Sequence, residues 1–449
     1  MADEAMRRRV GGQAPDRWYI VFVLVLAAIL SYLDRGIVGI LIPDLRRSLG
    51  LSEVQVSIVQ GFSFSLFFAI GGLLIGALTD RLNRKVIVII GVLGWSTMTM
   101  ACGLAQNFEQ LFIARAGVGV GEACLSPAAY SLICDLFSPE RRGRPMSLMV
   151  MAASIGGAAS SLLGGIILKL LGGSGTIVIP LLGVTEIWRV TFLIVGAPGL
   201  LMALLVMTMR EPERGIGLSE DLHGSSYTQF VLRNWRVTIP LKLVIALTFS
   251  ISYIVTGWVP TALIRNFGYS AGNAGMALGI VMVPSSVLGS FLGGVLGDWM
   301  ARRGHPYGRL RAWLGGTLPV IIGAAMMGFG SEHLFYAGML IVLITGGIFS
   351  SLSYPALYDV TPKQFRGRAI AVALLLASLV GMGGAITAVA LLTEHVFQDD
   401  MMVRVSIAIV TAAVAAIAPL LVIAQLKPYE VLRLQNSVQP ETASGDSED

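Results

Sequence analysis

The chain has 449 residues, 55% of them apolar and 13% charged, with 53 glycines and a mean hydropathy of +0.76. A soluble domain carries about 25% charged residues, so two or three water-soluble domains are excluded and an all-α polytopic membrane protein is expected. The net charge of +5 does not indicate nucleic acid, because the basic residues collect in loops on one side of the membrane. Three cysteines (Cys102, Cys124, Cys134) sit in apolar runs without pairing or metal spacing, and the four histidines form no HExxH pattern. No disulfide framework, metal or other cofactor is expected.

A bilayer core is crossed by about 20 apolar residues in a helix. On that measure twelve spans are predicted, near 18–42, 54–78, 86–105, 110–134, 145–170, 188–209, 241–263, 274–297, 312–330, 334–355, 368–392 and 403–425. Residues 1–17 form an N-terminal tail containing Arg7, Arg8 and Arg9; no apolar core precedes Trp18, so a removable signal peptide is not expected. Of the 32 Lys and Arg residues, 24 fall in the tails and in alternate loops on one side. That alternation would be lost if one span were wrongly added or dropped, and it puts both termini in the cytoplasm. The longest polar stretch, 210–240, is read as a cytoplasmic linker between a six-helix bundle at 18–209 and a second at 241–425, with a cytoplasmic C-terminal tail at 426–449.

An internal repeat supports the division. Gly76-Ala-Leu-Thr-Asp80 returns as Gly294-Val-Leu-Gly-Asp298, and Ser138-Pro139 to Arg142-Gly143-Arg144 returns as Thr361-Pro362 to Arg366-Gly367-Arg368. Two pairs in the same order at nearly one offset imply two pseudo-symmetric halves of parallel topology, as in transporters that rock around a midplane site.

An ionisable group at bilayer depth costs at least about 2.5–3.5 kcal/mol on insertion scales and is read as functional. Span one carries Asp34 and Arg35; span four carries Arg115 and Glu122. Residues seven apart share a helix face, so Arg115 and Glu122 point the same way, about 10 Å apart along the axis, whereas Asp34 and Arg35 diverge by about 100°. Arg35 is expected toward a cavity, where its planar fork suits a phosphate or carboxylate. Asp34 is expected toward a neighbouring helix, orienting Arg115. Burial favours a neutral carboxyl and a nearby arginine favours the charged one, which makes Glu122, with Asp34 and Arg115, the candidate for proton coupling. Gly117, Gly119 and Gly121 suit close approach of a neighbouring helix. The second half has no comparable charge deep in a span. Its candidate substrate-binding residues are Tyr253, Trp258, Tyr354 and Tyr358, an aromatic wall suited to an amphipathic ligand.

The loop Gly76-Ala-Leu-Thr-Asp80-Arg81-Leu-Asn83-Arg84-Lys85 resembles the signature Gly-x-x-x-Asp-Arg-x-Gly-Arg-Lys of the major facilitator superfamily, with Asn83 at the glycine position, where asparagine would tolerate a left-handed turn. With Tyr32-Leu-Asp34-Arg35, Pro43-Asp44-Leu45 and Arg115-Ala-Gly-Val-Gly-Val-Gly-Glu122-Ala123 it is similar to the Spinster branch, whose studied members export amphipathic lipids. The resemblance implies alternating access in the plasma (inner) membrane. It also implies a cytoplasmic gate, in which Asp80 meets the start of span eleven, Arg81 pairs with Asp135, and Arg84, Arg142 and Arg144 lie close by. Asp298, Asp359, Arg366 and Arg368 would mirror this, with Trp299 where a basic residue is usual.

The expected function is therefore proton-gradient-driven secondary transport of an amphipathic or anionic, lipid-like solute by a monomer whose other partners are membrane lipids and protons. An organic-anion:proton uptake symporter of the same fold is the alternative. A channel is not excluded by sequence, but the repeat favours rocking. An enzyme is disfavoured because the chain has no GxSxG, HExxH or Walker loop.

Overall fold

The structure, a computed structural model, describes residues 14–79, 81–138, 141–173, 175–179, 183–212, 227–303, 307–362 and 365–438. Long apolar runs fold as helices because only a helix satisfies every backbone group inside lipid. They are α1 (Ala14–Leu49), α2 (Glu53–Gly76), α3 (Arg84–Leu104), α4 (Phe108–Leu136), α5 (Gly143–Leu170) and α6 (Ile187–Met207), then α7 (Trp235–Phe267), α8 (Ala271–Arg302), α9 (Gly308–Phe329), α10 (Glu332–Val360), α11 (Arg366–Phe397) and α12 (Asp400–Asn436). Among the described residues eleven of these are long and apolar enough to cross a membrane, and α5 holds a shorter apolar stretch, Ile155–Leu170, at the fifth predicted span.

The chain divides into two compact units, Met1–Leu218 with Leu263–Ile280, and Ser219–Ala262 with Val281–Asp449. In the first unit α1 packs on α5, α3 on α6, and α4 on both α2 and α3. Glycines set the closest approaches. A Cβ on Gly119 would stand 2.5 Å from the Phe64 carbonyl oxygen of α2, and one on Gly121 would stand 2.5 Å from the Trp95 nitrogen of α3. Gly121→Ala is expected to destabilise the protein by about 1–3 kcal/mol, since the backbones must separate. A thermal unfolding midpoint unchanged in the purified variant would contradict that packing. In the second unit α9 lies against α10 and α12, and α8 meets α10 where Gly289 faces Gly347.

Three local features depart from uniform helix. The turn between α1 and α2 uses Gly50 at φ +65°, followed by a capping box in which Ser52 and Gln55 satisfy each other's backbone nitrogens. Inside α2, residues Ile58–Phe62 form a widened π turn; α4 breaks just after Glu122, resuming as Leu125–Leu136. Between α5 and α6 stands an antiparallel hairpin, β1 (Thr176–Ile179) and β2 (Gly183–Glu186), whose β-branched residues suit a strand. At its base Glu186 accepts from Ser48 at 2.7 Å, Arg189 at 3.0 Å and Trp188 at 3.1 Å. Burial pushes the Glu186 carboxyl up, but the bonds from Ser48, Arg189 and Trp188 and the charge of Arg189 together hold the group below the usual carboxylate range.

Two expectations change. Asn83 is not in a left-handed turn: at φ −63°, ψ 118° it is the extended N-cap of α3, its side chain accepting from the Val86 nitrogen. Helix also continues to Val438, where the sequence predicts a tail from 426, because Tyr429 is buried against α10 and its hydroxyl lies 2.8 Å from Asp359.

Candidate functional site

The intramembrane charges of α1 and α4 converge in the first unit. Arg35 Nε donates to Glu122 Oε2 at 2.6 Å, and Ser31, one turn earlier on α1, donates its hydroxyl to the same oxygen at 2.6 Å. The Glu122 side chain is fully buried, while that of Arg35 keeps 12% of its surface, so Arg35 is the less enclosed member of the pair. Its guanidinium is framed by three rings, with centroids at 4.5 Å (Tyr32), 4.7 Å (Phe64) and 4.9 Å (Phe68). The rings offer negative faces to a cation that has lost most of its water.

Asp34 points elsewhere, as the 100° step requires, and accepts from Thr99 of α3 at 3.0 Å. Arg115 is fully buried. Its Nε reaches the Val59 carbonyl in the π turn at 3.4 Å and its guanidinium lies 5.5 Å from the Phe64 ring. Among the described residues its two terminal nitrogens, Oδ1 of Asp34 and Oε1 of Glu122 have no hydrogen-bond partner. Burying an uncompensated charge costs several kcal/mol per ion. Asp34 interacts electrostatically with Glu122, Arg115 and Arg35, so the four ionisable groups form one buried cluster. Ser31, Thr99, Phe64 and Phe68 carry no charge to single them out in the sequence; only the four-residue steps from Ser31 to Arg35 on α1 and from Phe64 to Phe68 on α2 put them on shared faces.

At the linker side of the same unit the predicted pairing is corrected. Asp80 lies outside the described residues, and Arg81 is exposed. Asp135 is bound instead by Arg84, which is 2% exposed and also donates to Glu211 at 2.8 Å and to the Pro212 carbonyl at 3.1 Å. Glu211 in turn accepts the backbone nitrogens of Arg84 and Lys85 at 3.2 and 2.9 Å, capping the positive end of α3 from beyond α6. Arg142 and Arg366 hold helix ends, because each reaches carbonyls at the end of the preceding helix, and among the described residues neither is in an ion pair. Arg142 donates to the Phe137 and Cys134 carbonyls, and Arg366 donates to those of Thr361 and Tyr358, residues five and eight back in both cases. The second half repeats the Arg84–Asp135 pair as Arg309–Asp359, with Tyr429 on the same carboxylate. Asp298, expected as the counterpart of Asp80, is exposed.

The aromatic candidates of the second unit differ among themselves. Trp258 is fully buried and donates its indole N–H to the Ile386 carbonyl at 3.0 Å, where α11 carries a π segment (Ala377–Ala385); its ring is committed to holding α7 on α11 and not offered to a ligand. Tyr253 and Tyr354 are partly exposed, the former against Gly381 and the latter 6.4 Å from Phe249. Tyr358 is 37% exposed beneath the Arg366 guanidinium.

These features have relatives. A profile of the Major Facilitator Superfamily matches residues 24–385. An MFS-type efflux pump of Mycolicibacterium smegmatis is 28% identical over 392 residues, 85% of this chain and 86% of that one. Protein spinster of Drosophila melanogaster is 22% identical over 408 residues, 87% of this chain and 64% of that protein. The crystal structure of a bacterial homologue of the human lysosomal transporter Spinster, inward-facing and unoccupied, superposes with a TM-score of 0.77 at 24% identity, covering 96% of this chain and 100% of that one. With two similar helical halves, an intramembrane Arg–Glu pair and a family match over most of its length, the chain belongs to the major facilitator superfamily and is a membrane transporter rather than an enzyme.

Proposed function

We propose that this transporter couples movement of an amphipathic, anionic solute to protons by alternating access, with Arg35 as the anion-binding group and Glu122 as the proton acceptor. The supporting observation is the 2.6 Å bond from the partly exposed Arg35 to the fully buried Glu122. In the described state Glu122 occupies the guanidinium. A proton on Glu122 removes the counter-charge of Arg35 and frees a fork that suits a phosphate or carboxylate. Proton and anion then assist each other's binding, and by reciprocity each raises the affinity for the other. The three rings around Arg35 contribute the apolar part of such a site, and Tyr253 and Tyr354 remain candidates for contact with the solute's hydrocarbon. Both termini are placed in the cytoplasm on the distribution of Lys and Arg.

The second reading, uptake of a small organic anion with protons, uses the same Arg35 and differs in the solute's tail. Thermal stabilisation by lysophospholipids, sphingolipids and small carboxylates separates the two. The proposal expects the largest shift from a long-chain anion and its loss in Arg35→Ala. Stabilisation that survives Arg35→Ala would remove Arg35 from solute binding, and a preference for short carboxylates would favour the second reading.

A further inference from the structure

On the second unit, a strip at the start of α7 faces outward and plays no part in the transport site. The short helix Tyr227–Arg233 is seated on the bundle through Phe365 at the start of α11, with the Tyr227 and Phe230 rings 5.8 and 5.6 Å from its ring. Lys242 lies 5.4 Å from the Tyr227 centroid on the same inner side. The helix passes almost unbroken into α7, the Asn234 nitrogen bonding the Phe230 carbonyl at 3.1 Å. Its outer side carries Leu232, Trp235 and Ile239, exposed by 64%, 53% and 42%. Steps of three and four align them on one face. Arg233 and Arg236 are exposed beside this stripe, and the Arg236 guanidinium lies 5.6 Å from the Trp235 ring. Among the described residues neither arginine is in an ion pair.

An apolar stripe that continues onto a membrane-spanning helix is covered by lipid, not by a soluble partner. Tryptophan at such a junction sits at headgroup level, and paired guanidiniums there meet phosphate. We propose that this strip is a binding site for an anionic phospholipid, with its phosphate held by Arg233 and Arg236 and its acyl chain lying along Leu232 and Ile239. Charge complementarity favours an anionic over a zwitterionic head group, because nothing acidic on the strip would meet a choline.

The test uses the purified full chain, stripped of lipid, with phosphatidylglycerol or phosphatidylcholine of identical acyl chains, read by native mass spectrometry. Phosphatidylglycerol is expected to bind the tighter. Each basic residue near such a surface contributes about a fivefold gain, so Arg233→Ala with Arg236→Ala should weaken it about thirtyfold and leave phosphatidylcholine unchanged. Both side chains are exposed and alanine is a good helix former, so the double variant should fold. Equal binding of the two lipids by the natural chain, or a preference kept by the double variant, would overturn the site. Two further outcomes would also overturn it: displacement of the lipid by inorganic phosphate at equal concentration, which marks a free-phosphate site, and a preference seen only after deletion of the acidic segment 439–449, which marks that segment as the occupant.

Discussion

Glu122→Gln is expected to bind the anionic solute with an affinity that no longer varies with pH, and to lose accumulation driven by an imposed proton gradient. Glutamine is nearly isosteric with the protonated acid. It can still accept from the Ser31 hydroxyl, which in the natural chain lies 2.6 Å from Oε2, but it cannot hold Arg35 as a counter-charge. The variant should therefore bind at every pH as the natural protein does at low pH. A coupling free energy of ordinary size changes affinity by about 5–150-fold, and a difference of that order should separate natural protein and variant at high pH. Loss of the counter-ion is tolerated because Arg35 retains 12% exposure and three aromatic faces. Proteoliposomes with and without a pH gradient, and solute binding between pH 5 and 8, provide the measurements. A variant that still accumulates solute on a proton gradient would exclude Glu122 from coupling.

Arg84→Ala should cost about 3–5 kcal/mol of stability, the range seen when one partner of a buried charge pair is removed. Asp135 and Glu211 would both lose their guanidinium, and the tie from α3 to α4 and to the residues after α6 would go with it. Arg81→Ala, at an exposed position three residues earlier, should change stability by less than about 0.5 kcal/mol. Chemical or thermal unfolding in one detergent compares the two directly. Similar effects from both substitutions would mean that Arg84 does not anchor the helices as the geometry implies. Arg309→Ala is expected to fall between them, because its pair with Asp359 is more open, at 27% and 23% exposure.

Much of this architecture can be read locally. Span number and spacing follow from runs of apolar residues matched to bilayer thickness, a property of consecutive residues that needs no knowledge of neighbours. The intramembrane charges stood out for the same reason: Asp34, Arg35, Arg115 and Glu122 are conspicuous because everything beside them is apolar. The divergence of Asp34 from Arg35 also follows from helical pitch alone.

What the sequence could not decide was which side chains meet. Asp135 takes Arg84 rather than Arg81 because Asn83 starts α3 there, and three residues of backbone decide which arginine turns inward. The Val59 carbonyl faces Arg115 within a π turn that no residue pattern announces. Trp258, which the sequence offers as part of a ligand wall, instead gives its N–H to the Ile386 carbonyl. Apolar length and helical pitch are properties of one segment and survive in a string of letters. Ion-pair choice, ring stacking and π turns depend on the distance between segments far apart in the chain, and that distance exists only once the helices have packed.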